Sequence, residues 1–130
     1  MYVSKINLTP ELFERIDSQL KGFHEEISIL SKKNPDGKIN TFKIQYINAI
    51  IEQANELLQK EYIPLLNFTH FDTEMLPSNS DVVFVLSQYI NCMEQLRSEN
   101  ISRDVMGVWY WDVDGKQSNV RTAPPKKLSI

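Results

Sequence analysis

The chain of 130 residues contains one cysteine and four glycines. The single cysteine, Cys92, excludes an internal disulfide framework and is typical of a protein from a reducing compartment. The sequence has no glycine-rich phosphate-binding loop and no Gly-x-Ser-x-Gly motif, which would carry a nucleophilic serine. These absences give no reason to expect an enzyme or a bound cofactor.

Long apolar stretches are missing too. The longest, 82–86, has five residues, whereas a membrane-spanning helix needs about 20. The first residues, MYVSKINLTPE, lack the basic start and apolar core of a secretory signal. We therefore expect a cytoplasmic protein that does not associate with a membrane and whose length suits one domain.

Residues that could bind a metal ion are present without the spacing of a metal site. His70, Asp72 and Glu74 alternate in one segment, and His24 precedes two glutamates. No pair of histidines has the His-x-x-x-His spacing of helical zinc ligands. Neither Asp-Gly pair has carboxylates at the first and twelfth positions of a calcium loop. The sequence therefore predicts no metal site.

Charge is distributed unevenly, although the net charge is only −3. Residues 52–99 carry eight acidic and two basic side chains, which gives a net charge of −6. The flanking parts are weakly positive, with +1 for residues 1–51 and +2 for residues 100–130. No helix shows the basic stripe of a nucleic-acid-binding protein, whereas an acidic middle favours a protein partner of basic character. A second copy of the chain is the other partner that we consider.

Three segments carry apolar residues at helical spacing. The first segment begins at Thr9, which can cap a helix, and ends near Lys33. The second extends from about Thr41 to Lys60, and the third begins after a capping serine, Ser78 or Ser80. The three apolar stripes are Leu12, Ile16, Leu20, Phe23, Ile27 and Leu30; Ile44, Ile47, Ile51, Ala54 and Leu58; and Val82, Leu86, Tyr89, Met93 and Leu96. This pattern predicts a mainly α fold, an antiparallel three-helix bundle.

After the third helix the composition becomes typical of strands. Residues 104–113, DVMGVWYWDV, are rich in β-branched and aromatic side chains, and Asp114-Gly115 is a signal for a two-residue hairpin turn. We predict a small C-terminal β-hairpin, which the N-terminal segment YVSKINL can join as a third strand. Two prolines at 124–125 end regular pairing. The predicted domain therefore covers residues 1–122, and residues 123–130 form a mobile tail.

Alternation along the first hairpin strand divides its side chains between two faces. Trp109, Trp111 and Val113 are expected to face the helices. The opposite face is exposed unless a partner covers it, and aromatic residues and methionine are enriched at protein interfaces. We therefore predict a partner-binding surface, to which acidic residues of the helix connection add charge; its residues are Met106, Val108, Tyr110, Asp112, Asp72 and Glu74.

Two functions remain open from the sequence. The first is a small cytoplasmic protein-interaction module of the inhibitor, antitoxin or immunity kind, which binds a partner protein through an acidic and aromatic surface. The second is a small-molecule binding or small enzymatic domain. Its pocket would lie between one end of the bundle and the apolar connection 62–77, which we expect to pack across that end. Tyr89, His70 and Asp72 would be its polar anchors.

Overall fold

Each helix begins where the sequence offers a side chain that can cap its first turn. The computed structural model describes residues 9–126. Its helices are α1 (Pro10–Lys33), α2 (Thr41–Tyr62) and α3 (Asn79–Ser98). The side chains of Thr9, Asn40 and Ser78 accept hydrogen bonds of 2.8–3.1 Å from backbone N–H groups of the first turns. These bonds satisfy donors that have no partner within the helix, so the predicted starts of α1 and α3 are confirmed.

Helices α2 and α3 run in the same direction. At their beginnings, the Ile39 N–H donates to the Pro77 carbonyl at 2.9 Å. At their ends, the Tyr62 hydroxyl donates to the carboxylate of Glu99, and this hydrogen bond raises the pKa of Tyr62 to about 12. Because two parallel helices need a return connection, residues 63–78 must travel back along the whole length of α2.

Helix α1 runs against both of the others. Its C-terminal cap, Asn34, accepts a hydrogen bond of 3.0 Å from the side chain of Asn79 at the start of α3. Near its other end, Leu12 lies beside Leu57 in the second half of α2. The predicted bundle of three helices with a small C-terminal hairpin is confirmed, with α1 as the antiparallel member.

The connection between α2 and α3 lies along the side of the bundle, whereas the sequence predicted that it packs across one end. The side chain of Asn48 in α2 accepts from the Phe71 N–H at 2.8 Å and donates to the Phe71 carbonyl at 3.0 Å. This pair of bonds fixes the connection to the middle of α2. The ring of Phe71 also helps to close the core. It is buried, and its centroid lies 5.1 Å from that of the Phe68 ring.

The core includes the predicted stripes of α2 and α3, whereas only half of the predicted α1 stripe is buried: Leu12, Phe23 and Leu30 are partly exposed, and Phe13, which was not predicted, is buried. The most buried helical members of the core are Phe13, Ile16, Leu20 and Ile27 in α1; Ile44, Ile47, Ile50, Ile51, Ala54 and Leu58 in α2; and Val82, Leu86, Tyr89 and Met93 in α3. The opening turns of α3 carry apolar residues on several sides, but Phe84 keeps 56% of its surface exposed. The outer side of α3 therefore faces solvent.

A three-stranded antiparallel sheet follows the helices. Its strands are β1 (Ile101–Arg103), β2 (Trp109–Val113) and β3 (Lys116–Arg121), in the order β1-β2-β3. Asp114 and Gly115 join β2 to β3 with φ angles of 53° and 78°, as a two-residue turn with both central residues at positive φ requires. The predicted hairpin is therefore confirmed. The third strand is β1, which the sequence did not predict; the N-terminal segment proposed for that role lies outside the described residues.

Trp111 attaches the sheet to the bundle. Its side chain is 1% exposed, and its ring meets Phe13 edge-on with 4.9 Å between the centroids. Its indole N–H donates to the Glu14 carboxylate at 3.1 Å. Trp109 also packs against the core but is only partly buried. Both tryptophans face the helices as predicted, and Trp111 is the deeper of the two. Val113, which was predicted to share this face, is 38% exposed and does not join the core.

A buried ion pair holds the segment that follows β3. Arg97 and Glu94, both in α3, contact each other through hydrogen bonds of 3.1 and 2.6 Å. Arg97 also donates to the carbonyls of Ala123 and Pro124, and Glu94 accepts from the Lys126 N–H at 2.9 Å. The first residues of the predicted mobile tail are thus bound to α3, whereas residues 127–130 lie outside the described range.

The unequal burial of the two tryptophans leads to a stability prediction. Trp111→Ala should lower the free energy of unfolding by about 3–5 kcal/mol, because it empties a closed site in the core. Trp109→Ala should cost less, because its ring already contacts solvent. Chemical denaturation of both variants beside the wild type measures the difference. Equal losses would show that the two rings contribute equally to attaching the sheet.

Candidate functional site

The predicted partner-binding residues lie in two separate parts of the fold. Met106, Val108, Tyr110 and Asp112 belong to the C-terminal sheet and its turns, beyond the end of α3. Asp72 and Glu74 lie in the helix connection, beside the Phe71 backbone that Asn48 holds in the middle of α2. At 1.5 Å per residue, this level is roughly 20 Å along the bundle from the end of α2. The two groups therefore do not form one cluster.

The turn between β1 and β2 is fixed by its own hydrogen bonds. One carboxylate oxygen of Asp104 accepts from the N–H groups of Met106 and Val108, both at 2.9 Å. The Asp104 backbone bonds to Val108 and Gly107 at 2.9 and 3.0 Å. Gly107 has a φ of +86°, a conformation that a residue with a side chain rarely adopts. The turn is therefore held by a side-chain cap and by a glycine.

Two apolar side chains lie at the end of this turn. Val105 is 101% exposed and Met106 is 82% exposed, and we call these two residues the tip. Turns usually carry glycine, proline and small polar residues. Single exposed apolar residues are common on protein surfaces, but here two adjacent ones lie on a turn whose backbone is fixed. The tip is the most prominent apolar feature of the sheet.

The outer face of the sheet is more polar than the sequence suggested. Ser102 donates to the Asp112 carboxylate at 2.6 Å, and Gln117 donates to the Ser102 hydroxyl at 2.9 Å. Asp112 is thus bound within its own sheet. Tyr110 lies opposite Ser102 and is half-buried. The sequence predicted that Met106 lies on the outer face of the strand. Because β2 begins only at Trp109, Met106 lies in the turn instead.

Asp72 also has a local structural role. Its carboxylate accepts from the N–H groups of Glu74 and Met75 at 2.7 and 3.1 Å. These bonds favour the ionised form and hold the pKa of Asp72 below its usual value. Glu74 is exposed, and Met75 beside it is 80% exposed. The acidic pair therefore marks a second accessible region, on the connection.

The polar anchors considered for a ligand pocket are engaged within the fold or exposed, and none of them lines either cavity described below. Tyr89 is fully buried, and its hydroxyl donates to the side chain of Asn55 in α2. Burial raises the pKa of Tyr89 to about 12, so this phenol remains protonated at neutral pH. His70 is exposed and contacts Thr69 at 3.1 Å. Among residues 9–126, the cavities described below are lined by other side chains.

A groove of about 400 Å³ lies between α1 and α2. One wall is an aromatic pair, Phe42 and Tyr46, with 5.0 Å between the ring centroids and with 65% and 52% of their surfaces exposed. Phe23 lies on the other wall. An ion pair between Glu26 of α1 and Lys43 of α2 lies beside the rings. We call this feature the α1–α2 groove.

Sequence reasoning missed the α1–α2 groove. The predicted apolar stripe of α2 includes Ile44, Ile47 and Ile51, and all three are buried. Phe42 and Tyr46 lie off this stripe, four residues apart and therefore on one side of the helix. Two aromatic residues at this spacing outside a core stripe were the signal that could have indicated an apolar surface.

A smaller cavity of about 130 Å³ lies between α1, α3 and the segment after β3. Four of its seven charged side chains form ion pairs: Asp17 contacts Lys21 at 2.7 Å, and Arg97 contacts Glu94 at 2.6 Å. Desolvation raises the pKa of Asp17 above its usual value, although Lys21 opposes this effect. The paired charges bind parts of the chain to one another and so serve the fold.

No family model, curated protein or solved structure matches the chain significantly. Within residues 9–126, no three His, Cys, Asp or Glu side chains are grouped so that they could hold a metal ion. No helix of that range has the length and apolar character needed to cross a membrane. The exposed apolar features of the surface are therefore the best guide to function.

The raised pKa of Asp17 predicts how stability depends on pH. The native state holds this proton more tightly than the unfolded state, so the contribution of Asp17 to stability falls as the pH rises from about 4 through the raised pKa. Asp17→Asn removes the titration while keeping an oxygen that accepts from Lys21. At pH 7 the variant should be at least as stable as the wild type, and this advantage should disappear below about pH 4. Urea denaturation of the variant and the wild type across this pH range measures the difference in stability. A variant that is less stable than the wild type only at neutral pH would contradict the expected loss of stability on ionisation of Asp17.

Proposed function

We propose that this chain is a protein-interaction module that contacts its partner with the tip of the C-terminal sheet. The observation that supports the proposal is the exposure of Val105 and Met106 on a turn that Asp104 and Gly107 hold in one conformation. Neither side chain contributes to the core. Two apolar side chains that the fold does not need are available for contact with another molecule.

The energetics of such a contact are favourable. Burying one large aliphatic side chain is worth about 1.5–3 kcal/mol, and a few central anchors supply most of the binding energy at interfaces. A turn already fixed by hydrogen bonds loses little conformational freedom on binding. The tip therefore has both properties of an anchor, apolar surface and a preformed shape.

Neighbouring residues of the sheet extend this contact. Val108 and Tyr110 follow the tip along the chain and are half-buried, so each keeps part of its side chain accessible. Within this proposal, the small size, the acidic middle and the lack of a catalytic motif favour a cytoplasmic protein of the inhibitor, antitoxin or immunity kind. The net charge of −6 over residues 52–99 favours a partner that carries basic residues.

A capture experiment with matched variants tests the proposal. Val105→Ser with Met106→Ser makes the tip polar, whereas Leu66→Ser with Met75→Ser changes side chains that are 91% and 80% exposed on the connection. A partner captured from the native host should be retained by the wild type and by the connection variant. The tip variant should bind it about thirtyfold more weakly or worse, as expected for the loss of a central anchor.

Thermal melting should show unchanged stability for both double variants, because none of the four side chains is buried. A tip variant that captures the same partner with the same affinity would refute the proposal.

A further inference from the structure

We infer that the tip of one copy of this chain inserts into the α1–α2 groove of a second copy, so that copies associate head to tail. This inference rests on the proposed function, because it uses the same tip. It identifies the partner as a second copy of the chain. In a single copy both surfaces are accessible: Val105 and Met106 are 101% and 82% exposed, and Phe42 is 65% exposed. The tip therefore does not occupy the groove of its own chain.

The size and chemistry of the two surfaces match. A groove of about 400 Å³ is in the range that accommodates whole small molecules, so it can accept one valine and one methionine side chain. Three of its lining residues, Phe23, Phe42 and Tyr46, are aromatic. The sulfur of methionine packs favourably against aromatic rings, which suits Met106.

The charges beside the two surfaces are also complementary. Arg103 and Asp104 immediately precede the tip in the chain, and Glu26 and Lys43 line the groove. In one orientation Arg103 can approach Glu26 while Asp104 approaches Lys43. The side chains of Lys43 and Glu26 are 36% and 57% exposed, and exposed ion pairs contribute little to stability, so exchanging partners costs little. Electrostatic complementarity of this kind fixes the orientation of a contact.

In a symmetric dimer each tip would enter the groove of the partner, and assembly would stop at two copies. An open head-to-tail arrangement uses one tip and one groove at each contact and is heterologous. In the head-to-tail arrangement, one copy of a pair keeps an unoccupied groove and the other keeps an unoccupied tip. The average size of the assembly should therefore increase continuously with protein concentration.

Sedimentation velocity of the purified full chain tests this arrangement. From about 1 µM to about 1 mM, a range that covers weak to moderate association, the wild type should form increasingly large species. The tip variant, Val105→Ser with Met106→Ser, should remain monomeric, and so should the groove variant Phe42→Ser. The connection variant, Leu66→Ser with Met75→Ser, should associate like the wild type.

Mixing the two inactive variants gives the most specific result. The tip variant has an intact groove and the groove variant has an intact tip, so an equimolar mixture should form dimers. These dimers should not grow further, because the remaining tip and groove are both altered. Non-specific adhesion would not give this restoration, because it does not depend on one intact tip and one intact groove.

A circular dichroism spectrum and a melting curve verify the fold of the groove variant, and Tyr46→Ser on the same wall replaces it if Phe42→Ser does not fold. A wild type that stays monomeric throughout the range, or a mixture that does not dimerise, overturns the inference. If the wild type is monomeric but the tip variant loses a captured partner, only the head-to-tail inference fails. If the tip variant affects neither assay, the proposed function fails with it.

Discussion

The contact between Trp111 and the first turns of α1 determines the position of everything that follows α3. A sheet of three short strands is not stable without a surface to pack on. Trp111 provides the attachment, because its ring is buried against Phe13 and its N–H donates to Glu14. The ion pair of Arg97 and Glu94 fixes the chain again after β3. The sheet is thus held at both ends of its hairpin.

A sheet that is fixed in this way can present an apolar turn to another molecule. Val105 and Met106 add nothing to the core, and Asp104 holds the backbone beneath them. The outer face of the sheet satisfies its own polar groups through Ser102, Asp112 and Gln117. Within the sheet, exposed apolar area is therefore concentrated at the tip. This division of roles supports an interaction module, and the α1–α2 groove supplies a matching surface on the same protein.

Local features of the sequence predicted most of the fold. The caps Thr9 and Ser78 determine where α1 and α3 begin, and the apolar spacing identified the buried faces of all three helices. Asp114 and Gly115 predicted the hairpin turn, and strand alternation predicted that Trp109 and Trp111 face the helices. These features succeed because they depend on neighbours within a few residues.

Local sequence patterns could not predict the features of the fold that depend on contacts between distant residues. Helical spacing contains no information on direction, so the parallel arrangement of α2 and α3 and the path of the connection were missed. Strand β1 has three residues, which is too short for a visible alternation. Among the candidate site residues, Met106 is exposed as predicted but lies in a turn and not on a strand, because Gly107 adopts a positive φ and β2 begins only at Trp109. The α1–α2 groove is lined by residues of both helices, so it could not be predicted from the pattern of either helix alone.

The central claim is that the tip is both exposed and rigid. Native-state hydrogen exchange at the amides of Met106 and Val108 tests it most directly, since both donate to the Asp104 carboxylate. Exchange at these two amides should be clearly slower than in an unstructured peptide of the same sequence. It should accelerate in Asp104→Ala, while amides in the middle of α1 remain unaffected. Exchange at the unstructured rate in the wild type would mean that the turn is mobile, and the account of a preformed anchor would be contradicted.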